Sequence, residues 1–357
     1  MAGRIADSAP RQRIGLLHDT GYRRVVAADA HPRAPPRRAG CKNRRFSFRG
    51  WAMPFRGSAA ELSPSPFACT NGGMKGELYG WRRYGVVLLG MLLAGGVCSA
   101  AIPFTIDQRG TFGPTAFQAQ SQVEALLALA ICFAIATGIA SVVGRLVNAA
   151  VGLFVLGAGL WVIRMRSGTI EDLAFAEGSL GLVALETALW GVLVAGATIV
   201  ILRIAGPLTD IDAKDDGNSS PPEPSRWGLR GAAAGFLVLP AVWLIARSEL
   251  QGQTMMAVVL GSMVVGLVGR LLSPHAQPRL LFASPCLFGA IGHVLGLLFV
   301  HDPLSVAFVT QSIPAVSLPM PLDYAAGSLM GVAMGLGWAK SFLHDEDEAA
   351  EASARGQ

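Results

Sequence analysis

Apolar residues in this chain come in long, nearly charge-free blocks rather than in the one-sided stripes of a helix on a soluble core. Eight such runs stand at roughly 84–104, 123–144, 147–165, 179–202, 229–247, 254–272, 280–300 and 324–343. Each is long enough for a helix to cross a hydrocarbon layer of ~30 Å. The pattern predicts an all-α integral membrane protein with about eight transmembrane helices.

The stretch from Val123 to Ile163 shows how the blocks must fold. As one straight helix it would be ~60 Å long at ~1.5 Å per residue, about twice the membrane. It must therefore turn back. Gly144, Arg145 and Asn148 mark the turn: Gly permits tight backbone, and Asn can cap the next helix. Arg145 then reaches headgroups as a topology anchor instead of standing at mid-membrane.

The basic residues favour one side. With the leading segment in the cytoplasm, the inner segments hold Lys75, Arg82, Arg83, Arg145, Arg203, Lys214, Arg226, Arg230, Arg270, Arg279, Lys340 and Arg355. The outer ones hold Arg109, Arg164, Arg166 and Arg247. This bias predicts an even number of spans with both termini cytoplasmic, in the cytoplasmic membrane of a bacterium.

Three short strings recur in chain order: Val143-Gly144-Arg145-Leu146 with Val268-Gly269-Arg270-Leu271, "WRRYG" at 81–85 with "WGLRG" at 227–231, and "GSLGLVALETALW" at 178–190 with "GSLMGVAMGLGW" at 327–338. Each falls at an equivalent point of a four-span unit. The expectation is two parallel four-helix repeats, 74–203 and 227–343, with Arg270 as the echo of Arg145. Residues 204–226, rich in Pro, Ser and Asp, form a flexible cytoplasmic linker between them. The pairing of the first span with the fifth argues for a retained helix at 84–104. The alternative is a cleaved signal peptide, for which "GGVCSAA" offers small residues at a cut site.

Glycines sit at close-packing intervals on three spans: Gly231 and Gly235, Gly292 and Gly296, and Gly327, Gly331 and Gly335. Such spacing lets helix backbones approach in lipid, either as static packing or as a sliding contact between the halves. Pro240 should kink the fifth span.

Composition sharpens this picture. Only 15% of the 357 residues are charged and 52% are hydrophobic, which excludes an ordinary soluble domain. The net charge of +5 is unevenly spread. Residues 1–73 carry thirteen Lys/Arg against four acids, and the remainder is slightly acidic. This Arg- and Pro-rich arm reads as a disordered basic segment. Met74 opens "MKGELYGWRRYGVVLLG", a short basic lead into an apolar helix, and is the expected true start. The tail at 344–357 is acidic and solvated. Five cysteines, three of them in apolar segments, give no disulfide framework and read as small hydrophobes.

Candidate chemistry is sparse. Glu186 is the only acid well inside a predicted span: either a proton or cation site, or a neutral carboxyl bonded to a neighbouring helix. His293 is either a proton relay or a structural histidine. The long apolar loop 301–323 is a lid or a surface plug. No H-E-x-x-H, G-x-S-x-G, phosphate-loop or C-x-x-C motif occurs, so an enzyme, cofactor, metal or nucleic-acid role is not expected. The leading expectation is a transporter- or channel-like protein moving a small solute or ion between two halves, in contact with the lipid bilayer. The alternatives are a non-transport membrane scaffold or assembly partner and an intramembrane enzyme without a recognisable motif.

Overall fold

The computed structural model describes residues 80–208, 226–273 and 278–355, all within the unit Gly73–Gln357, with side chains omitted at 80, 226, 227 and 343–355. The basic arm, the Met74 start, most of the 204–226 linker and the side chains of the acidic tail lie outside the described residues.

Among the described residues eleven α-helices follow one another: α1 Gly80–Ser99, α2 Gln122–Leu146, α3 Ala149–Arg164, α4 Ile170–Phe175, α5 Leu180–Ala205, α6 Arg226–Ala233, α7 Val238–Ile245, α8 Gln251–Leu272, α9 Ser284–Phe299, α10 Leu304–Val309 and α11 Pro321–Arg355. Among the described residues the only β-type pairings are two isolated bridges in the α1–α2 connection. Every predicted apolar segment is helical. Among the described residues four helical stretches are long and apolar enough to cross a membrane: Gln122–Leu146, Leu180–Ala205, Gly228–Ile245 and Gln251–Leu272. The α3 and α9 helices are apolar but shorter, at 16 residues each, or ~24 Å.

The helix ends follow local chemistry. The hairpin between α2 and α3 turns where the sequence placed it. The Asn148 side chain accepts from the Ala150 N–H at 3.0 Å, capping α3. The Ser179 hydroxyl does the same for α5 at 3.2 Å to the Gly181 N–H. Gly206, at φ 91°, ends α5 in a backbone region closed to most side chains. Pro240 lies in α7, and the predicted kink is a 3-10 turn over Ala234–Leu237 that separates α6 from α7. The proline lacks an N–H for the preceding turn and crowds the carbonyl there.

Large apolar side chains face outward along the bundle. On α2, Leu127, Ile131 and Ile135 are each half or more exposed, one turn apart on a single face. Leu88 and Leu92 do this on α1. In water such stripes would be an aggregation surface, and in a bilayer they are the solvent contact. Inside, the hydroxyls of Thr137, Ser141, Thr187 and Thr198 each donate to the carbonyl four residues earlier at 2.7–2.8 Å. They satisfy themselves without water.

Helix α11 is central and packs on α8, α3, α5 and α9. Against α8 it runs parallel, and its glycines set the distance. A Cβ at Gly331 would collide with the Val259 carbonyl oxygen, and one at Gly335 with that of Met263. Gly327 rests on Val258. These three therefore join two helices of the same predicted half. Close approaches between predicted halves are made by glycines outside the predicted set, among them Gly191 of α5 against Cys286 and Leu287 of α9. Gly157 of α3 faces Ala326, Leu329 and Met330 of antiparallel α11, with the Ala326 carbonyl oxygen 3.0 Å from a Cβ placed there. Gly235 meets Ser284 and Phe288 of α9, while Gly231 faces Gly269 and Ser273. Gly292 and Gly296 meet Val316 and Ser317 of the α10–α11 connection.

Candidate functional site

The α3–α11 seam carries the main polar cluster at one end. Arg164 closes α3 and Asp323 lies in the first turn of α11, so the antiparallel pairing brings them together. Arg164 Nε donates to Asp323 Oδ1 at 2.6 Å, and both side chains are essentially inaccessible. Asp323 Oδ2 accepts from the Met320 N–H at 2.7 Å and from the Thr254 hydroxyl at 3.3 Å. Arg164 Nη1 donates to the Ser167 hydroxyl at 3.0 Å and to the Gly168 carbonyl at 3.1 Å. Gln251, at the start of α8, donates to the carbonyls of Arg164 and Ser167. The network draws on α3, α8 and α11. A buried pair of this kind is tolerable because further hydrogen bonds from both partners offset the cost of leaving water. Arg164, expected among the solvated outer cations, is instead one of the largest fully buried side chains.

The connections at this end are structured as well. Asp107 accepts from the Arg109 and Thr111 backbone N–H groups at 2.8 and 3.0 Å, and from the Arg109 Nε and Thr111 hydroxyl at 3.1 Å each. Burial pushes the Asp107 carboxyl up, but these donors outweigh it and hold it below the ordinary carboxylate value. Arg109 Nη2 reaches the Asp172 carbonyl at 3.1 Å, tying the α1–α2 connection to α4. The loop 301–323, expected to be a lid or a surface plug, packs on α4 through α10, with Phe175 and Phe308 edge to face at 5.8 Å.

Glu186 is buried on α5 and does not reach another long helix through this bond. Its Oε2 accepts from the Ala116 N–H at 2.9 Å, at the start of a 3-10 turn, Ala116–Gln118, in the α1–α2 connection. His293 is fully buried on α9, edge to face with Tyr324 of α11 at 5.7 Å, and neither ring nitrogen has a hydrogen-bond partner among the described residues. Tyr324 itself donates to the Val316 carbonyl at 3.2 Å. Glu186 and His293 thus sit in separate surroundings and share no hydrogen-bond partner.

At the other end of the same seam, α3 and α11 part around a cavity of about 270 Å³. Its polar lining is Asn148, Arg270 and Lys340, and its apolar walls include Val151, Phe154 and Leu336. No acid lines it among the described residues. Arg145 and Arg270 align in sequence but differ in place: Arg145 is exposed, whereas Arg270 is buried and faces the cavity. Neither Glu186 nor His293 lines this cavity. They are also absent from a second one, of about 500 Å³, that Arg247, Glu249 and Gln311 border at the Arg164 end.

The sequence reading missed the Arg164–Asp323 pair. The one available signal was an arginine and an aspartate at the mouths of two spans predicted to open on the same side. Comparison with protein-family models, curated proteins and solved structures found no match. The described residues therefore define a class only: an all-helical fold with four helices long and apolar enough to cross a membrane.

Proposed function

We propose that this is a multi-pass membrane protein of transporter-like character that passes a small solute or ion along the α3–α11 seam. The observation that carries the reading is the asymmetry of that seam. It is bolted by Arg164–Asp323 at one end, closed by Gly157 against the α11 backbone in the middle, and open at the other end into a cavity with two cations. An alternating-access protein caught open to one side has this arrangement. In this reading eight helical segments span the bilayer, and the cavity end is cytoplasmic, as the basic-residue bias suggests.

Reciprocal packing supports two parallel repeats. Under the predicted correspondence, the third segment packs on the eighth as α3 on α11, and the seventh packs on the fourth as α9 on α5. A two-fold axis along the membrane normal would exchange these two contacts.

The scaffold reading has its own support. Glu186 is spent on holding the α1–α2 connection, and the α3–α11 contact is backbone-close at Gly157. Stopped-flow swelling of proteoliposomes with glycerol, acetate and phosphate distinguishes the two. Transport predicts entry of at least one solute faster than into protein-free vesicles, at a rate that Asp323→Asn alters. Rates equal to protein-free vesicles for all three would overturn it in favour of a scaffold.

A further inference from the structure

We infer that the cavity of about 500 Å³ beside the α7–α8 connection binds a small zwitterion, with an apolar α-amino acid as its occupant. This inference goes beyond the transport reading and holds for a scaffold equally.

The first observation is a pair of opposite charges that line one space without meeting. Arg247 and Glu249 both border the cavity, and no ion pair joins them. They stand two apart on one connection, so their Cα atoms lie within about 7 Å of each other. What keeps the charges apart is the seating of the arginine. Its Nε donates to the Leu244 carbonyl at 3.2 Å, in the last turn of α7, and its guanidinium lies over the Trp243 ring at 5.3 Å. The planar group is thus held back along α7. Its Nη atoms and the Glu249 carboxylate have no hydrogen-bond partner among the described residues.

Charges arranged in this way select by sign. An anion alone would gain from Arg247 and lose to Glu249, and a cation alone the reverse. A molecule with a carboxylate and an ammonium group satisfies both, the carboxylate on the guanidinium fork and the ammonium on the Glu249 oxygens.

The second observation is an apolar wall. Trp243, Phe308 and Leu318 line the same cavity from α7, α10 and the α10–α11 connection. Apolar walls around a few polar groups are the usual make-up of small-molecule sites. The side chain of an apolar amino acid covers this surface, whereas a zwitterion without one leaves it wet.

The third is Gln311. Helix α10 ends with Gln311 at φ 55° and the Ser312 N–H on the Ala307 carbonyl at 2.9 Å. Gly is favoured at such a helix end because it has no Cβ. The glutamine instead brings a side-chain amide to the cavity, a donor and an acceptor that suit the two ends of a zwitterion. The site also lies where a solute can reach it. The connection joins Gly228–Ile245 to Gln251–Leu272, two stretches able to cross a membrane, and Arg247 is exposed.

The test is calorimetric titration of the purified full chain in a neutral detergent. The probes are L-leucine, its deaminated analogue 4-methylpentanoate, its decarboxylated analogue 3-methylbutylamine, and glycerophosphoethanolamine. L-Leucine should bind saturably, and each leucine analogue about tenfold or more weakly, the scale of losing a charged hydrogen bond. Arg247→Gln should weaken L-leucine to the level of 3-methylbutylamine, and Glu249→Gln to that of 4-methylpentanoate. A merely structural role for either residue would weaken all probes alike. Arg166→Gln, which removes an exposed cation outside the cavity lining, should leave binding unchanged. If one variant does not fold, the other and the ranking of the four probes on the parent protein still decide. Tighter binding of glycerophosphoethanolamine than of L-leucine would overturn the amino-acid assignment in favour of a lipid headgroup. Equal affinity for all four probes, L-leucine binding that neither cavity variant changes, or no saturable binding of any probe would overturn the proposal.

Discussion

Arg164 and Asp323, 159 residues apart in sequence, meet at 2.6 Å in the interior and bind α3 to α11. The separate elements fix this pair: one charge terminates a helix, the other opens one, and the antiparallel contact superposes the two ends.

Removing one partner leaves the other as an uncompensated buried charge. Asp323→Asn should therefore destabilise the protein by about 3–5 kcal/mol. The double variant Arg164→Met with Asp323→Leu should recover most of that loss, because the desolvation cost disappears with both charges. Unfolding followed in detergent gives both values. A double variant less stable than Asp323→Asn would show that the pair itself, rather than the avoidance of a lone charge, holds the seam.

Glu186 acts as the anchor of the α1–α2 connection through Ala116. Glu186→Ala leaves a buried N–H without its acceptor, at a cost of about 1–3 kcal/mol, while Glu186→Gln retains an acceptor oxygen and should cost less. Amide exchange at Ala116 is the local readout, and it should quicken in the alanine variant well before exchange in α5 does. Equal exchange in all three proteins would remove this role.

Asp107 confers an acid sensitivity. Its folded carboxyl titrates below the ordinary value because four donors favour the ionised form. The stability it contributes is thus fully present above the unfolded value of about 3.9, and it is lost as pH falls through the lower folded value. Asp107→Asn should flatten that acid limb and leave the difference between pH 6 and pH 8 untouched. A limb as steep as in the parent protein would assign the acid sensitivity to other groups.

The α8–α11 contact discriminates between two glycines on one helix. Gly331→Ala forces a methyl against the Val259 carbonyl and should cost about 1–3 kcal/mol. Gly337 has nothing within 4 Å of a Cβ, so Gly337→Ala should be neutral or gain up to about 1 kcal/mol from helix propensity. Thermal unfolding of the two variants side by side checks the order.

The helices were legible in the sequence because apolar block length and turn chemistry are local. The α2–α3 hairpin is the clearest case, since Gly144 and Asn148 announce it. Arg270 shows the limit: its local string matches that of Arg145, yet one is buried against a cavity and the other faces outward. What separates them is which helix packs on each, a property of distant residues. Arg164 failed for the same reason, because a cation at a span end reads as solvated until its partner is placed. Glu186 and His293 were conspicuous as lone polar groups in apolar helices. That residue type marks a group needing an explanation, without saying whether the explanation is a ligand, a loop or an aromatic neighbour.

In the proposed reading the seam is closed at the Arg164 end and open at the Lys340 end. Membrane-impermeant thiol labelling tests this directly, with cysteine placed at Gly337 or Ala326 after the five native cysteines are replaced. Gly337→Cys, in the cavity wall, should react from the membrane face that bears Lys340 and not from the other. Ala326→Cys, fully buried beside Gly157, should react from neither face until Asp323→Asn opens it to the opposite one. Labelling of Ala326→Cys with the ion pair intact, or protection of Gly337→Cys from both faces, would contradict the account.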